Sequence, residues 1–232
     1  MSREIYVGLS GASSSWTHLE TLSNNLANVS TPGFKQGRMA FKVEGPTEHE
    51  LGEVYALPTE VRHDMNDGAL QQTGNPLDFA IQGRGYFQVQ APTGETYLTR
   101  AGRFTLNADN ELVTSSGHRL LSDGGPLVVP EGEELIVGLD GAVRGSVSGE
   151  IGAITLVDGP VTPAGGTLWQ PTGPAQQLEE VHIEQGAIER SNVDPLVSMV
   201  ELVEATRYFE AYQKVMQASD EADNRLNRLG GA

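Results

Sequence analysis

The hydrophobic period of this chain changes twice, and that change limits its possible folds more than any single motif does. From Leu9 the apolar residues fall at Leu9, Ala12, Trp16, Leu19, Leu22, Leu26 and Val29, steps of three and four that draw a stripe on an α-helix. The stripe is narrow and flanked by Ser, Thr and Asn, and such a helix needs an apolar partner to be stable in water. Ser30-Thr31-Pro32-Gly33 ends it, because the residue before a proline is steered out of the helical region. Near the other end Asn192 is the expected N-cap, Pro195 fits the first turn, and a helix is predicted as far as Leu229, before Gly230 and Gly231. Its second half carries Ala205, Tyr208, Tyr212, Val215, Ser219, Ala222, Leu226 and Leu229 at coiled-coil-like spacing. In its first half Leu196, Val200 and Val203 lie on another face, which predicts either a second neighbour or one wide core-facing stripe.

Between these helices the pattern alternates every second residue, with turns at short intervals. Strands are predicted at Phe79 to Gln82, Tyr86 to Gln90, Thr96 to Thr99, Phe104 to Leu106, Leu112 to Thr114 and Arg119 to Leu121. Shorter ones follow at Leu127 to Val129, Leu135 to Val137, Ala142 to Val143 and Ile154 to Val157. No helix of useful length fits between 70 and 160, which excludes parallel βαβ units and leaves an antiparallel domain. Residues 158–175 hold four Gly and four Pro and read as a loop. Residues 44–67, acidic and without clear periodicity, read as an extended connector with a solvated face. The expected fold class is α+β. Terminal helices at 1–33 and 192–232 flank an extended connector at 34–70 and a mainly antiparallel β domain at 71–191.

Charge and composition exclude several functions. With 15 Lys and Arg against 31 Asp and Glu the net charge is −16, a sign that repels nucleic-acid phosphates and anionic lipid alike. No run of 18 apolar residues is present, so no direct membrane insertion as a helix is expected, and Ile5 to Leu9 is too short for a cleaved signal. Cys is absent, which removes disulfides, thiolate metal sites and cysteine nucleophiles together. His18, His49, His63, His118 and His182 show no zinc-binding spacing, and no metal or cofactor is expected.

The remaining chemical motifs have simpler readings. Asp109-Asn110-Glu111 lacks the alternation of a calcium loop and reads as a hairpin turn, as Gly83-Arg84-Gly85 does in place of a dinucleotide fingerprint. Ser13, Ser14 and Ser15 lie in a helix rather than at a nucleophile elbow, and Asn28-Val29-Ser30 reads as a helix end rather than a glycosylation site. Glu133 with Glu134 and Glu179 with Glu180 sit in polar, turn-rich stretches as solubilising charges. No catalytic residue is expected.

Asn24-Asn25-Leu26-Ala27-Asn28-Val29-Ser30-Thr31-Pro32-Gly33-Phe34-Lys35 resembles, nearly letter for letter, the N-terminal signature of the flagellar rod, hook and hook-associated proteins. Further blocks are similar to the same family: Pro76 to Ile81 with Gly85-Tyr86-Phe87, Tyr97 to Phe104, and Gly186 to Asp194. The helical stretch with Met199, Val200, Ala205, Arg207, Tyr208, Phe209 and Glu210 is similar to the family's C-terminal helix. The length is nearer to single-β-domain rod subunits than to hook proteins, the proximal-rod type first and the distal-rod type second.

The resemblance implies a structural subunit of the flagellar basal-body rod with a hook/rod-type β domain, polymerising with itself and other rod subunits through its terminal helices. It implies a periplasmic rod location and passage through the flagellar export apparatus without a cleaved signal. The expected subunit-interface residues are Trp16, Leu19, Leu22, Asn25, Leu26, Asn28, Val29, Tyr208, Tyr212, Val215, Leu226 and Leu229, with Asn24, Asn25 and Asn28 as polar register-setters. The rival readings are a binding module on the same scaffold and an enzyme using the loop around Trp169 or the acidic connector as a lid.

Overall fold

The computed structural model describes residues 3–44, 55–178 and 180–230. His49, Glu179 and the Leu9, Ala222, Leu226 and Leu229 side chains lie outside the described residues. The chain divides into two compact units, a helical one of residues 1–29, 36–65 and 193–232 and a β unit of 30–35 and 66–192.

The helical unit holds α1 (Arg3–Ala27), a hairpin of β1 (Gly37–Glu44) and β2 (Tyr55–His63), and α2 (Pro195–Gly230). The helices run antiparallel, with Gly11 beside Tyr212, Trp16 against Phe209 at 5.5 Å between ring centroids, and His18 near Ala205. Small residues make this approach possible. A Cβ on Gly11 would stand 2.7 Å from the Tyr212 ring, and Ala12, Ser14 and Ala205 are buried. The hydroxyls inside α1 do not disturb it, because Thr17 and Thr21 donate to the carbonyls of Ser13 and Thr17, one turn back, at 3.2 and 2.8 Å.

Three sequence expectations are corrected in this unit. Residues 34–70 are not an extended connector: β1 and β2 pair antiparallel from Gly37 opposite His63 to Glu44 opposite Tyr55. Pro58 and the acidic residues weaken the strand signal, and Pro58 sits where the register shifts at Ala40/Phe41, a place in a ladder that tolerates a residue without an N–H. The N-cap of α2 is Asp194, whose Oδ1 accepts from the Leu196 and Val197 amides at 2.9 and 3.1 Å. Asn192 belongs to the β unit and donates through Nδ2 to the Asn66 carbonyl at 3.1 Å. Helix α1 stops at Ala27, so Val29 lies in the turn beyond the stripe.

In the β unit the named pairings are antiparallel. β3 (Leu70–Gln72) pairs with β19 (Ala187–Glu189), and β4 (Phe79–Ile81) with β18 (Ile183–Gln185). The large sheet runs β15 (Val161–Gly165), β16 (Leu168–Pro171), β6 (Thr96–Thr99), β5 (Tyr86–Gln90), β9 (Arg119–Ser122), β8 (Leu112–Thr114), β7 (Phe104–Leu106). β10 (Gly125–Pro126) joins it at β9, while β14 (Leu156–Asp158) pairs with β5 and with β17 (Gln176–Gln177). β11 (Leu135–Val137), β12 (Ala142–Gly145) and β13 (Gly149–Ala153) form a separate meander. The loop expected at 158–175 is instead the β15–β16 hairpin, whose glycines Gly165 and Gly166 turn the chain between the strands.

Strand alternation sets the core. From β5, Phe87 and Val89 enter one apolar cluster with Phe79, Phe104, Leu112, Leu120 and Leu156, while Tyr86 packs in a second cluster with Leu98, Val157 and Trp169. Phe104 is the centre of the first cluster, 5.8 Å from Phe79 and 5.7 Å, edge-on, from Phe87. The hairpin turn expected at Asp109-Asn110-Glu111 is present: Asn107 Oδ1 accepts from the amides of Asp109 and Glu111 at 2.9 and 2.8 Å, and Asn110 takes φ 59°.

Phe104→Ala is expected to lower the stability of the β unit by about 3–5 kcal/mol in urea denaturation, the cost of a buried phenyl plus the cavity it leaves. Gly11→Val is expected to destabilise the helical unit by about 1–3 kcal/mol through overpacking against Tyr212, read by far-UV circular dichroism during melting.

Candidate assembly surface

A helix with one neighbour hides one face and presents a polar one to water. Helix α2 departs from this. Ser198 and Ala205, 1 % and 3 % exposed, lie seven residues apart on its buried face. At about 100° per residue, Leu196, Val200 and Val203 fall on roughly the opposite side. They are 75 %, 60 % and 53 % exposed. Met199 and Val197 extend this apolar stripe. The wide core-facing stripe allowed by the sequence is therefore corrected, since these side chains point away from the buried face of α2.

Farther along α2, Tyr208 and Val215 are largely exposed and Tyr212 partly so. Tyr208, Tyr212 and Ala205 with Gly11, Ser14, Ser15 and His18 of α1 line an open cavity of about 300 Å³ between the helices. His18 Nδ1 is buried there and has no hydrogen-bond partner among the described residues.

The α1 residues named from the sequence have different surroundings. Trp16 is half-exposed, Leu19 and Leu26 are half-buried, and Leu22 is buried. Asn25 is buried against its own hairpin: its Nδ2 donates to the Gly37 carbonyl and its Oδ1 accepts from the Gly37 amide, both at 2.8 Å. That two-point grip and its burial turn the amide inward, onto its own chain. Asn28 Nδ2 donates to the Asn24 carbonyl at 2.9 Å, closing the end of α1, while Asn24 is exposed. Beside Asn25, residues Thr17, Glu20, Thr21, Asn24, Val61 and His63 line a second groove, and burial holds the His63 imidazole below its ordinary pKa. Among the described residues no group of three His, Asp or Glu side chains is placed to hold a metal ion. No helix there is long and apolar enough to cross a membrane.

Met199 is a residue of the apolar stripe that helical spacing alone could have added, lying between Leu196 and Val203 at the same i, i+3, i+7 positions. The pairing of Asn25 with Gly37 left no sequence signal, since it joins residues whose only common property is their place in the fold.

Three family descriptions match the chain in order: "Flagella basal body rod protein" over residues 5–35, "Flagellar hook protein FlgE/F/G D1 domain" over 80–145, and "Flagellar basal body rod FlgEFG protein C-terminal" over 184–229. The chain is 34 % identical to the flagellar basal-body rod protein FlgF of Caulobacter vibrioides, with 99 % of each chain covered. It is 30 % identical to FlgF of Salmonella typhimurium, covering 99 % of this chain and 98 % of that one. To the flagellar basal-body rod protein FlgG of Bacillus subtilis the identity is 31 %, again with 99 % of each chain covered. With matches at both helices and in the sheet, and relatives aligned from end to end, the chain belongs to the flagellar basal-body rod protein family.

Proposed function

We propose that the protein is a structural subunit of the flagellar basal-body rod, of the FlgF type, that polymerises through its terminal helices. The observation that carries this reading is the apolar stripe Leu196, Met199, Val200 and Val203 on the side of α2 away from its buried face. A second helix packed there would bury it, giving α2 two neighbours in a coiled-coil-like arrangement. A knob on one side of a helix and a cavity on another, here lined by Gly11, Ser14, His18 and Tyr212, are non-identical surfaces. Contacts between such surfaces are heterologous, and they extend into a helical filament when the rotation between copies does not close a ring. Trp16, Tyr208, Tyr212 and Val215 are the further side chains assigned to neighbouring subunits, with Leu226 and Leu229 continuing the same seam in sequence.

The FlgF type is supported by the 34 % identity to Caulobacter FlgF over an alignment of 247 positions, against 31 % over 266 positions for Bacillus FlgG, which this 232-residue chain meets with more gaps. In this reading the subunit stands in the periplasmic part of the basal body, is delivered by the flagellar export apparatus, and does no chemistry.

Leu196→Glu/Val200→Glu/Val203→Glu in one chain is expected to leave the melting temperature within a few degrees of wild type, because exposed side chains contribute little to the isolated fold. The same variant is expected to abolish swimming and incorporation into purified basal bodies; normal motility would refute the assembly role of this stripe. Deleting residues 205–232, which removes Ala205, Tyr208 and Tyr212, is expected to leave the β unit folded by near-UV circular dichroism and the cells non-motile.

A further inference from the structure

Inside the β unit, three segments of chain converge on a carboxylate carried by a fourth. The side chains of Glu189 and Lys35 are each 1 % exposed, and Lys35 Nζ donates to Glu189 Oε1 at 2.7 Å. The Gly68 amide donates to the same oxygen at 2.9 Å, and Arg100 Nη1 lies 3.4 Å from Glu189 Oε2. Lys35 also donates to the Asn66 carbonyl at 2.8 Å, and Arg100 Nη2 to the Gly83 carbonyl at 2.7 Å, with its guanidinium over the Tyr86 ring. Asp67, half-exposed, lies 4.0 Å from Lys35 and 3.5 Å from Arg100, so two cations face two anions.

The backbone closes around this cluster. The Gly33 amide donates to the Glu189 carbonyl at 2.8 Å, and the Arg190 amide to the Ala69 carbonyl at 2.9 Å. Gly33 takes φ +69°, and a Cβ there would stand 2.3 Å from the backbone of Arg100 and Ala101, so only glycine admits the approach.

The position of the cluster in the chain gives it its interest. The polypeptide passes between the two units at 29/30, 35/36, 65/66 and 192/193. Gly33 and Lys35, Asn66 to Gly68, and Glu189 with Arg190 lie within four residues of those passages. Their mutual contacts are hydrogen bonds and ion pairs, whereas the Phe79, Phe87 and Phe104 core is held by apolar burial. Removing one partner of a buried pair leaves an uncompensated charge, a far larger penalty than the pair's own net contribution.

From this we infer that the Lys35–Glu189–Arg100 cluster is an ionic latch, a conformational device that holds the entering and leaving segments of the chain on the β unit. When the latch opens, residues 30–35 and 66–69 come away from the β unit while its apolar core stays folded. The inference rests on the geometry of the cluster and is independent of the rod reading.

The test is hydrogen exchange, read by mass spectrometry on the full chain carrying Glu189→Gln or Lys35→Met. Either substitution is expected to speed exchange of peptides covering 30–36 and 66–72 by about tenfold or more, with peptides covering 86–90 unchanged, as for a local opening. The double variant is expected to exchange no faster than the faster single one, because both remove the same interaction. Unchanged exchange at 30–36 and 66–72, equal acceleration at 86–90, or additive effects in the double variant would each overturn the latch. Should Glu189→Gln leave the chain unfolded, the same peptides are read in Glu189→Asp, which keeps the charge and shortens its reach. Acceleration confined to 30–36 and 66–72 then supports the latch, and acceleration shared with 86–90 overturns it.

Discussion

The helical unit depends on side chains that are small. Helices pack 8–10 Å apart at a distance set by the residues between them, and α1 and α2 meet through Gly11, Ala12, Ser14 and Ala205. Around these small residues Trp16 meets Phe209 and Gly11 meets the Tyr212 ring, yet much of the apolar content of α2 is left uncovered. Leu196, Met199, Val200, Val203, Tyr208 and Val215 remain on the outside. A water-exposed stripe of that size is an unfinished core, and elsewhere in proteins such patches mark interaction surfaces. The net charge of −16 favours solubility despite these exposed stripes.

Period and turn chemistry made the architecture readable in advance. Steps of three and four at both ends and of two between them gave two helices around an antiparallel sheet, because side-chain direction alternates with a fixed period in each element. Phe87 and Val89 could be placed in a core from alternation alone. Turns were readable where Gly or Asn supplied the unusual backbone, as at Gly83, Gly85 and Asn110. The 12-residue signature from Asn24 to Lys35 carried the family without saying what its residues do.

What stayed hidden depends on partners distant in sequence. Tyr55–His63 carries Pro58, Glu60 and Arg62 and has little strand character of its own; it is a strand because β1 lies beside it. Asn25 read as a seam polar residue and proves to be a clasp on Gly37. Glu189, in the sequence one more acidic residue near a turn, is among the most buried side chains of the chain because Lys35 and Arg100 arrive from 154 and 89 positions away. Charge in a sequence predicts solvent exposure until a fold brings its counter-charge, and the counter-charge is a property of topology.

If the chain assembles through its helices, as proposed, it must also avoid assembling through strands. The free edge of a sheet presents unpaired N–H and C=O groups that recruit any passing strand. The large sheet ends on β15 at one side and β7 at the other. β15 carries Pro163 beside a register shift at Pro163/Gly165, which removes a donor and distorts the edge, and β7 is only three residues long. Neither edge of this sheet offers a long, flat ladder to a passing strand.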